Sequence, residues 1–294
     1  MKRIIPVVAV LALVVAGGFA FQVWGQIVGA GSSPEETAKI IVHDEKFGIR
    51  GLKKAIQYGD QIIPFIEEES KDFRELNGRN SFWIAEILGS IDSELSRKTL
   101  KELYQRKDAL SVLVGSIGLC MHGAYPEQIN EDSNLVRIVR KAEPQTETDL
   151  AIIALGYSGS VEALPAIHGL LTTRPNGYFH LVYACEALAR IRSPKSIPVL
   201  RSCLQDPKFY ALSEAYRVAT SLGDKESTAL AIGRVSKDLS GKNSGFLITE
   251  LEKVTGKKHG YNKEKWEAWW RSDGADWQIP KKFLVEWDEQ PKQY

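Results

Sequence analysis

From Pro34 onward the apolar residues recur at i, i+3 and i+4 in segments of roughly 10 to 15 residues, and short Gly, Ser, Asp or Pro breaks separate them. That period predicts helices and leaves no room for the alternation of a half-buried strand. The first opens at "SSPEE", where Ser33 is placed to cap, Pro34 suits the first turn, and Glu36 completes a capping box. Helix then follows helix to about residue 256. Tight turns make successive helices antiparallel neighbours, so the pattern predicts an all-α fold.

The chain also repeats itself. "ALGYSGSVEALPAIHGLL" from Ala154 aligns without gaps on "ALARIRSPKSIPVLRSCL" from Ala187, a period of 33. Ala154 matches Ala187, Leu155 matches Leu188, Leu164-Pro165 matches Ile197-Pro198, and Leu171 matches Leu204. A third copy starts at Val218, and weaker echoes start at Ala55 and Ala85. A helix–turn–helix unit of this length cannot bury its apolar stripe alone and must stack on the next, which is a solenoid. Ala154, Ala184 and Ala187 are small enough for helices to approach closely. In "SPKS", Ser193 is read as an N-cap with Pro194 at the first helical position, and Pro165 and Pro198 follow about one turn later.

These stretches resemble the HEAT-like repeats named after phycobilisome lyases, whose unit reads approximately A-L-G-x-I-G-D-P-x-A-I-P-x-L. The resemblance is closest at "ALARIRSPKSIPVL", is specific over roughly 150–225, and extends in looser form from residue 50. It implies a right-handed α-solenoid of stacked antiparallel helix pairs, HEAT- or armadillo-like. Residues 107–145 depart from it, with "MHGAYPEQINEDSN" as a longer polar loop.

A second resemblance lies in "ITELEKVTGKKHGYNKEKWEAWWRS". It is similar to a tail, roughly L-T-G-x-x-x-G-Y-D-x-x-x-W-x-x-W-W, that closes many bacterial HEAT-repeat chains. Thr255, Gly256, Gly260, Tyr261, Trp266, Trp269 and Trp270 match, with Asn262 in place of Asp. By spacing alone, Gly256 ends one helix, Asn262 caps the next, and three indoles share one face. Tyr261, Trp266, Trp269 and Trp270 are therefore expected to cover the last repeat's open apolar face. A sugar-stacking platform is the alternative, and it requires Trp266, Trp269 or Trp270 to be exposed. Trp277 and Trp287 fall outside the helical spacing, and "WQIPKKFLVEW" is read as running back along the solenoid.

The N-terminus has a different composition. Lys2 and Arg3 precede an apolar run from Ile4 to Phe21, predicting a hydrophobic helix that serves as a signal peptide or a membrane anchor. Positive-inside bias then carries the rest across the membrane, to the cell envelope or periplasm. The expected organisation is 1–31 signal or anchor, 32–256 solenoid, and 257–294 Trp-rich cap and tail.

Composition narrows the function. The sequence is 44% hydrophobic and 26% charged; setting aside Lys2 and Arg3, its 38 basic residues fall to 36 against 37 acidic. A near-neutral body lacks the basic footprint of a nucleic-acid binder. The five histidines and three cysteines form no metal-ligand motif, and no nucleophile elbow or phosphate loop occurs, so no catalytic residue, metal or cofactor is assigned. Bilin lyase activity is what the family name implies, and it would need Cys120, His122 and His180 to converge. Cys185 and Cys203 are read as small core residues at similar distances from the turn near Ser193, able to meet and, under oxidation, to bond. Tyr178, Phe179 and Tyr183 are read as core and edge packing.

What remains is surface. The second helices carry Glu67, Glu68 and Glu69 early, then Lys98, Lys101 and Glu102, then His168, Arg201, Arg234 and Lys237. That gradient is the expected binding face for another protein, and a non-enzymatic scaffold of the envelope is the expected role.

Overall fold

A computed structural model describes residues 33–43, 49–71, 78–143, 146–173, 178–236 and 242–284. The expected N-terminal hydrophobic helix, Lys237 and Trp287 lie outside the described residues. Among those described there is no strand, and no helix is long and apolar enough to cross a membrane. The helices group into two compact units, one ending at Ala124 and the other beginning at Tyr125. This boundary falls inside the polar loop where the repeat pattern lapses.

The first unit holds α1 (Pro34–His43), α2 (Ile49–Gln57), α3 (Ile63–Glu69), α4 (Gly78–Ser90), α5 (Glu94–Tyr104) and α6 (Ala109–Met121). The Ser33 cap forms as expected: its hydroxyl accepts from the Glu36 amide at 3.2 Å. Ser93 and Asp108 cap α5 and α6 in the same way, through the amides of Ser96 and Ser111. α6 packs against both α4 and α5. Its approach to α5 requires Gly115, where a Cβ would stand 2.6 Å from the Tyr104 nitrogen.

The second unit holds α7 (Asn134–Lys141), α8 (Thr146–Ser158), α9 (Leu164–Thr173), α10 (Tyr178–Ile191), α11 (Ile197–Gln205), α12 (Leu212–Ser221), α13 (Glu226–Gly233), α14 (Lys242–Thr255) and α15 (Lys263–Asp273). Two layers result. α8, α10, α12 and α14 pack side by side in one, and α7, α9, α11, α13 and α15 in the other. This is the stacking of an α-solenoid. α8 is buried continuously from Leu150 to Gly156 because helices surround it, which erases the amphipathic stripe of a surface helix.

The entry to the second helix of a pair differs from the sequence reading. Ser193 does cap, accepting from the Lys195 amide, but Pro194–Ser196 form a 3₁₀ turn and α11 proper starts at Ile197. Pro198 therefore sits in the first turn of α11, where a missing N–H costs nothing. Val161–Ala163 before Pro165 and Gly59–Gln61 before Pro64 repeat the device.

Candidate functional site

His168, Arg201 and Arg234 stand one repeat apart on or beside α9, α11 and α13, and each reaches toward a neighbouring pair. His168 Nε2 is hydrogen-bonded to Ser196 Oγ at 3.1 Å, and half-burial pulls the imidazole below its ordinary pKa. Arg201 grips Asp224 in a fork, Nε donating to one carboxylate oxygen at 2.9 Å and Nη2 to the other at 2.5 Å. Ser227 also donates to Asp224. Burial alone would raise the Asp224 carboxyl; the hydrogen bonds from Arg201 and Ser227, with the Arg201 charge, outweigh it and hold the group below the usual range.

Arg234 reaches backward. Its guanidinium donates to the carbonyls of Leu204 (3.1 Å), Asp206, Pro207 (3.2 Å) and Phe209 (3.5 Å), fixing the loop after α11. The three residues named as a binding face thus serve first as ties between successive helix pairs. Sequence reasoning missed this because the partners are 23 to 30 residues away. Part of the signal was there: His168 and Arg201, one period apart, both reach forward to the turn before the next second-layer helix, whereas Arg234 at the next equivalent position reaches back. What lies open beside the ties is a stripe of uncharged polar side chains, with Thr172 on α9 and Ser202 and Gln205 on α11 all exposed.

In the first unit, Glu67, Glu68, Glu69, Lys98 and Glu102 of the expected gradient are also engaged. Glu69 pairs with His43, Glu68 with Lys71, Lys98 with Glu102, and Glu67 accepts from Thr99 Oγ1 at 2.6 Å. A cleft of about 270 Å³ lies between α3 and α5, with Glu67, Glu102 and Arg106 on its walls and Ile66 and Leu103 beneath.

The residues of the catalytic alternative have separate surroundings. Cys120 is buried, which pushes its thiol up to about 12, and His122 Nε2 donates to the Leu88 carbonyl at 3.3 Å. His180, in the other unit, is buried and donates from Nδ1 to Asp149. Among the described residues, no cluster of three His, Cys, Asp or Glu is placed to hold a metal ion. Phe179 does not join the core: it is 62% exposed, at the edge of α10, with its ring stacked on Tyr183.

At the C-terminal end, Gly256 takes a left-handed φ of 72° after α14, and Asn262 caps α15 through the Lys265 amide at 2.9 Å. Trp266 is fully buried and Trp269 nearly so, while Trp270 is half-buried. Trp266 Nε1 donates to the Gly260 carbonyl at 2.9 Å. The ring of His259 meets Trp266 edge-on at 4.8 Å, and Trp269 meets Trp266, Trp270 and Trp277 at about 6 Å each. α15 packs on α13, extending the second layer. Burial of Trp266 and Trp269 removes them as a sugar platform. Tyr261 departs from the expected closure: it stays 39% exposed, with its hydroxyl beside Gly245 on α14.

Trp277 enters the cluster through the turn over residues 274–276, in which its amide donates to the Asp273 carbonyl at 2.9 Å. The segment beyond runs along the pair turns, as read from the sequence. Lys225 donates to the carbonyls of Ala275 (2.7 Å) and Trp277 (3.4 Å), Phe283 is buried, and Arg192 donates to the Leu284 carbonyl at 3.2 Å.

A family model described as HEAT repeats matches residues 133–217, within the second unit. Neither the curated proteins nor the solved structures yield a match. HEAT repeats generally mediate protein-interaction scaffolding. Stacked helix pairs in two layers, a 33-residue period and the family match over 133–217 agree, and the chain is a HEAT-like repeat protein.

Proposed function

We propose that the chain is a non-catalytic scaffold that binds another protein in the cell envelope. The N-terminal apolar run exports it, and either tethers it to the membrane or is cleaved. The observation that carries the reading is the set of ties at His168, Arg201 and Arg234. They fasten consecutive second-layer helices into one stiff face, and a face ordered in advance loses little conformational entropy on binding. The exposed stripe of Thr172, Ser202 and Gln205 beside those ties is the contact surface. Lys2 and Arg3 before the apolar run support export, and the balanced charge of the body favours a protein partner over nucleic acid.

The test is in-cell cross-linking of the full-length chain with a C-terminal tag, followed by mass-spectrometric identification. One dominant envelope protein is expected. It should be lost with Thr172→Arg plus Gln205→Arg, a pair that leaves the ties intact and should leave thermal stability unchanged. Capture that persists in this double variant would refute the assignment of the face. Recovery of nothing above background would refute the scaffold.

A further inference from the structure

The strap from Ala275 to Leu284 is held by contacts of the kind that bind an extended peptide. Lys225 and Arg192, at two successive pair turns, donate to the main-chain carbonyls of Ala275, Trp277 and Leu284, groups that any sequence would offer. Two side chains four residues apart are the anchors. Ile279 and Phe283 are buried, and Lys253 Nζ of α14 stands 5.9 Å from the centre of the Phe283 ring. Gln278, Lys281, Lys282 and Leu284 around them are exposed. Main-chain hydrogen bonds that give affinity, with pockets that give selectivity, are how extended peptides are recognised. Closure of the last pair falls to α15, through Trp266 and Trp269; the strap lies beyond it, over turns.

We propose that the track along the α10–α11 and α12–α13 turns is a docking surface for an extended segment of a protein partner, and that residues 278–284 occupy it in cis as a displaceable latch. The proposal rests on the scaffold reading for the existence of that partner. The segment that fits carries an aliphatic residue and, four positions on, an aromatic ring to meet the Lys253 cation. Charge between the anchors is tolerated, since Lys281 and Lys282 face solvent there. A tethered latch acts at an effective concentration on the order of millimolar, so a free segment competes poorly. A partner already held at Ser202 and Gln205, on the helix that leads out of one gripped turn, is tethered too and competes on equal terms.

The probe is a fluorescent synthetic peptide with the strap's own sequence, ADWQIPKKFL, titrated into the full-length protein and followed by anisotropy. Ile279→Ser plus Phe283→Ser vacates the track and should tighten peptide binding roughly tenfold or more over the parent. Adding Lys225→Ala and Arg192→Ala should weaken it again, and a peptide with serine at both anchor positions should not bind. A second readout needs no variant to fold. The Phe283 and Leu284 amides bond within the strap, to the Pro280 and Lys281 carbonyls, and excess peptide should speed their hydrogen exchange in the parent. Equal affinity for the parent and the vacated protein, binding to neither, or exchange at those amides that the peptide leaves unchanged would overturn the latch. Because the peptide is supplied in the tube, such a failure leaves capture through Thr172 and Gln205 standing, and failure of that capture leaves the peptide result standing.

Discussion

Gly156 marks a close approach of α8 to α10, and replacing it with alanine tests whether these two helices of one layer pack as tightly as described. A Cβ there would stand 2.8 Å from the Ala187 Cα and 3.0 Å from its Cβ. Carbon atoms pack at about 3.5–4.0 Å, so the helices must separate by several tenths of an ångström or more. The obstacle is backbone as well as side chain, so no rotamer change relieves it. Overpacking of this kind costs about 1–3 kcal/mol, and with backbone in the way the upper half of that range applies. Alanine's better helix propensity offsets about 1 kcal/mol. The net expectation is a loss of about 1–2 kcal/mol. Gly169 on α9 supplies the matched control, since nothing lies within 4 Å of its added Cβ. Gly169→Ala should gain the propensity term alone, about 0.5–1 kcal/mol. Urea unfolding of both variants, followed by helical circular dichroism and read as the shift of one and the same transition, should therefore give shifts of opposite sign. A Gly156→Ala protein as stable as the parent would refute the close contact, and with it the reason for small residues at this repeat position.

Removing Arg201 should cost more than removing its partner's charge. Arg201→Met leaves Asp224 buried with Ser227 as its side-chain donor, for an expected loss of about 1–3 kcal/mol, whereas Asp224→Asn leaves a guanidinium that is 40% exposed and free to hydrate; thermal melts that rank the two the other way would contradict the tie. Glu250 is buried on α14, and desolvation raises its carboxyl despite Lys253 and Arg217 nearby. An acid whose folded pKa is raised costs stability as pH climbs from the unfolded toward the folded value. Glu250→Gln should accordingly be more stable than the parent at pH 8, with the gap closing near pH 4. Asp224 has the opposite sign: its depressed pKa supplies stability above the unfolded value that is lost as pH falls through the folded one, so in Asp224→Asn the acid limb of the melting-temperature profile should flatten. At the closure, Trp266→Ala should cost about 3–5 kcal/mol and remove a blue-shifted, acrylamide-resistant emission, while Tyr261→Ala should stay within about 1 kcal/mol; equal effects would mean that the indole is not buried.

Period and spacing made the architecture readable. Ala154 over Ala187 announced the repeat, Ser33, Asn262 and Gly256 announced helix ends, and Trp266 with Trp269 announced the closing helix, because local rules govern each of these. The sites were less readable because they depend on what the neighbouring pair presents. His168, Arg201 and Arg234 look like a charged rim in one dimension, and only stacking brings Ser196, Asp224 and four carbonyls to them. Pro198 looked like an inconvenience within a helix until the preceding 3₁₀ turn moved the helix start. Trp277 looked unrelated to the indole face until the turn over residues 274–276 brought its ring to 5.9 Å from Trp269; that turn begins at Gly274, a glycine whose Cβ would collide with the Trp270 carbonyl at 2.4 Å.

Pair-on-pair packing sets no natural length for a stack, since each hairpin offers the next the same kind of surface. The tail beyond α15 does set one. It begins at the last pair, is held at the α12–α13 turn by Lys225, and is held at the α10–α11 turn by Arg192. Those anchor points span a fixed number of hairpins, so the segment acts as a ruler. An extra hairpin spliced in between α11 and α12 would leave every helix able to pack, yet would carry Arg192 out of reach of the Leu284 carbonyl. The repeats are interchangeable in principle; the tail makes their number over this stretch a property of the chain.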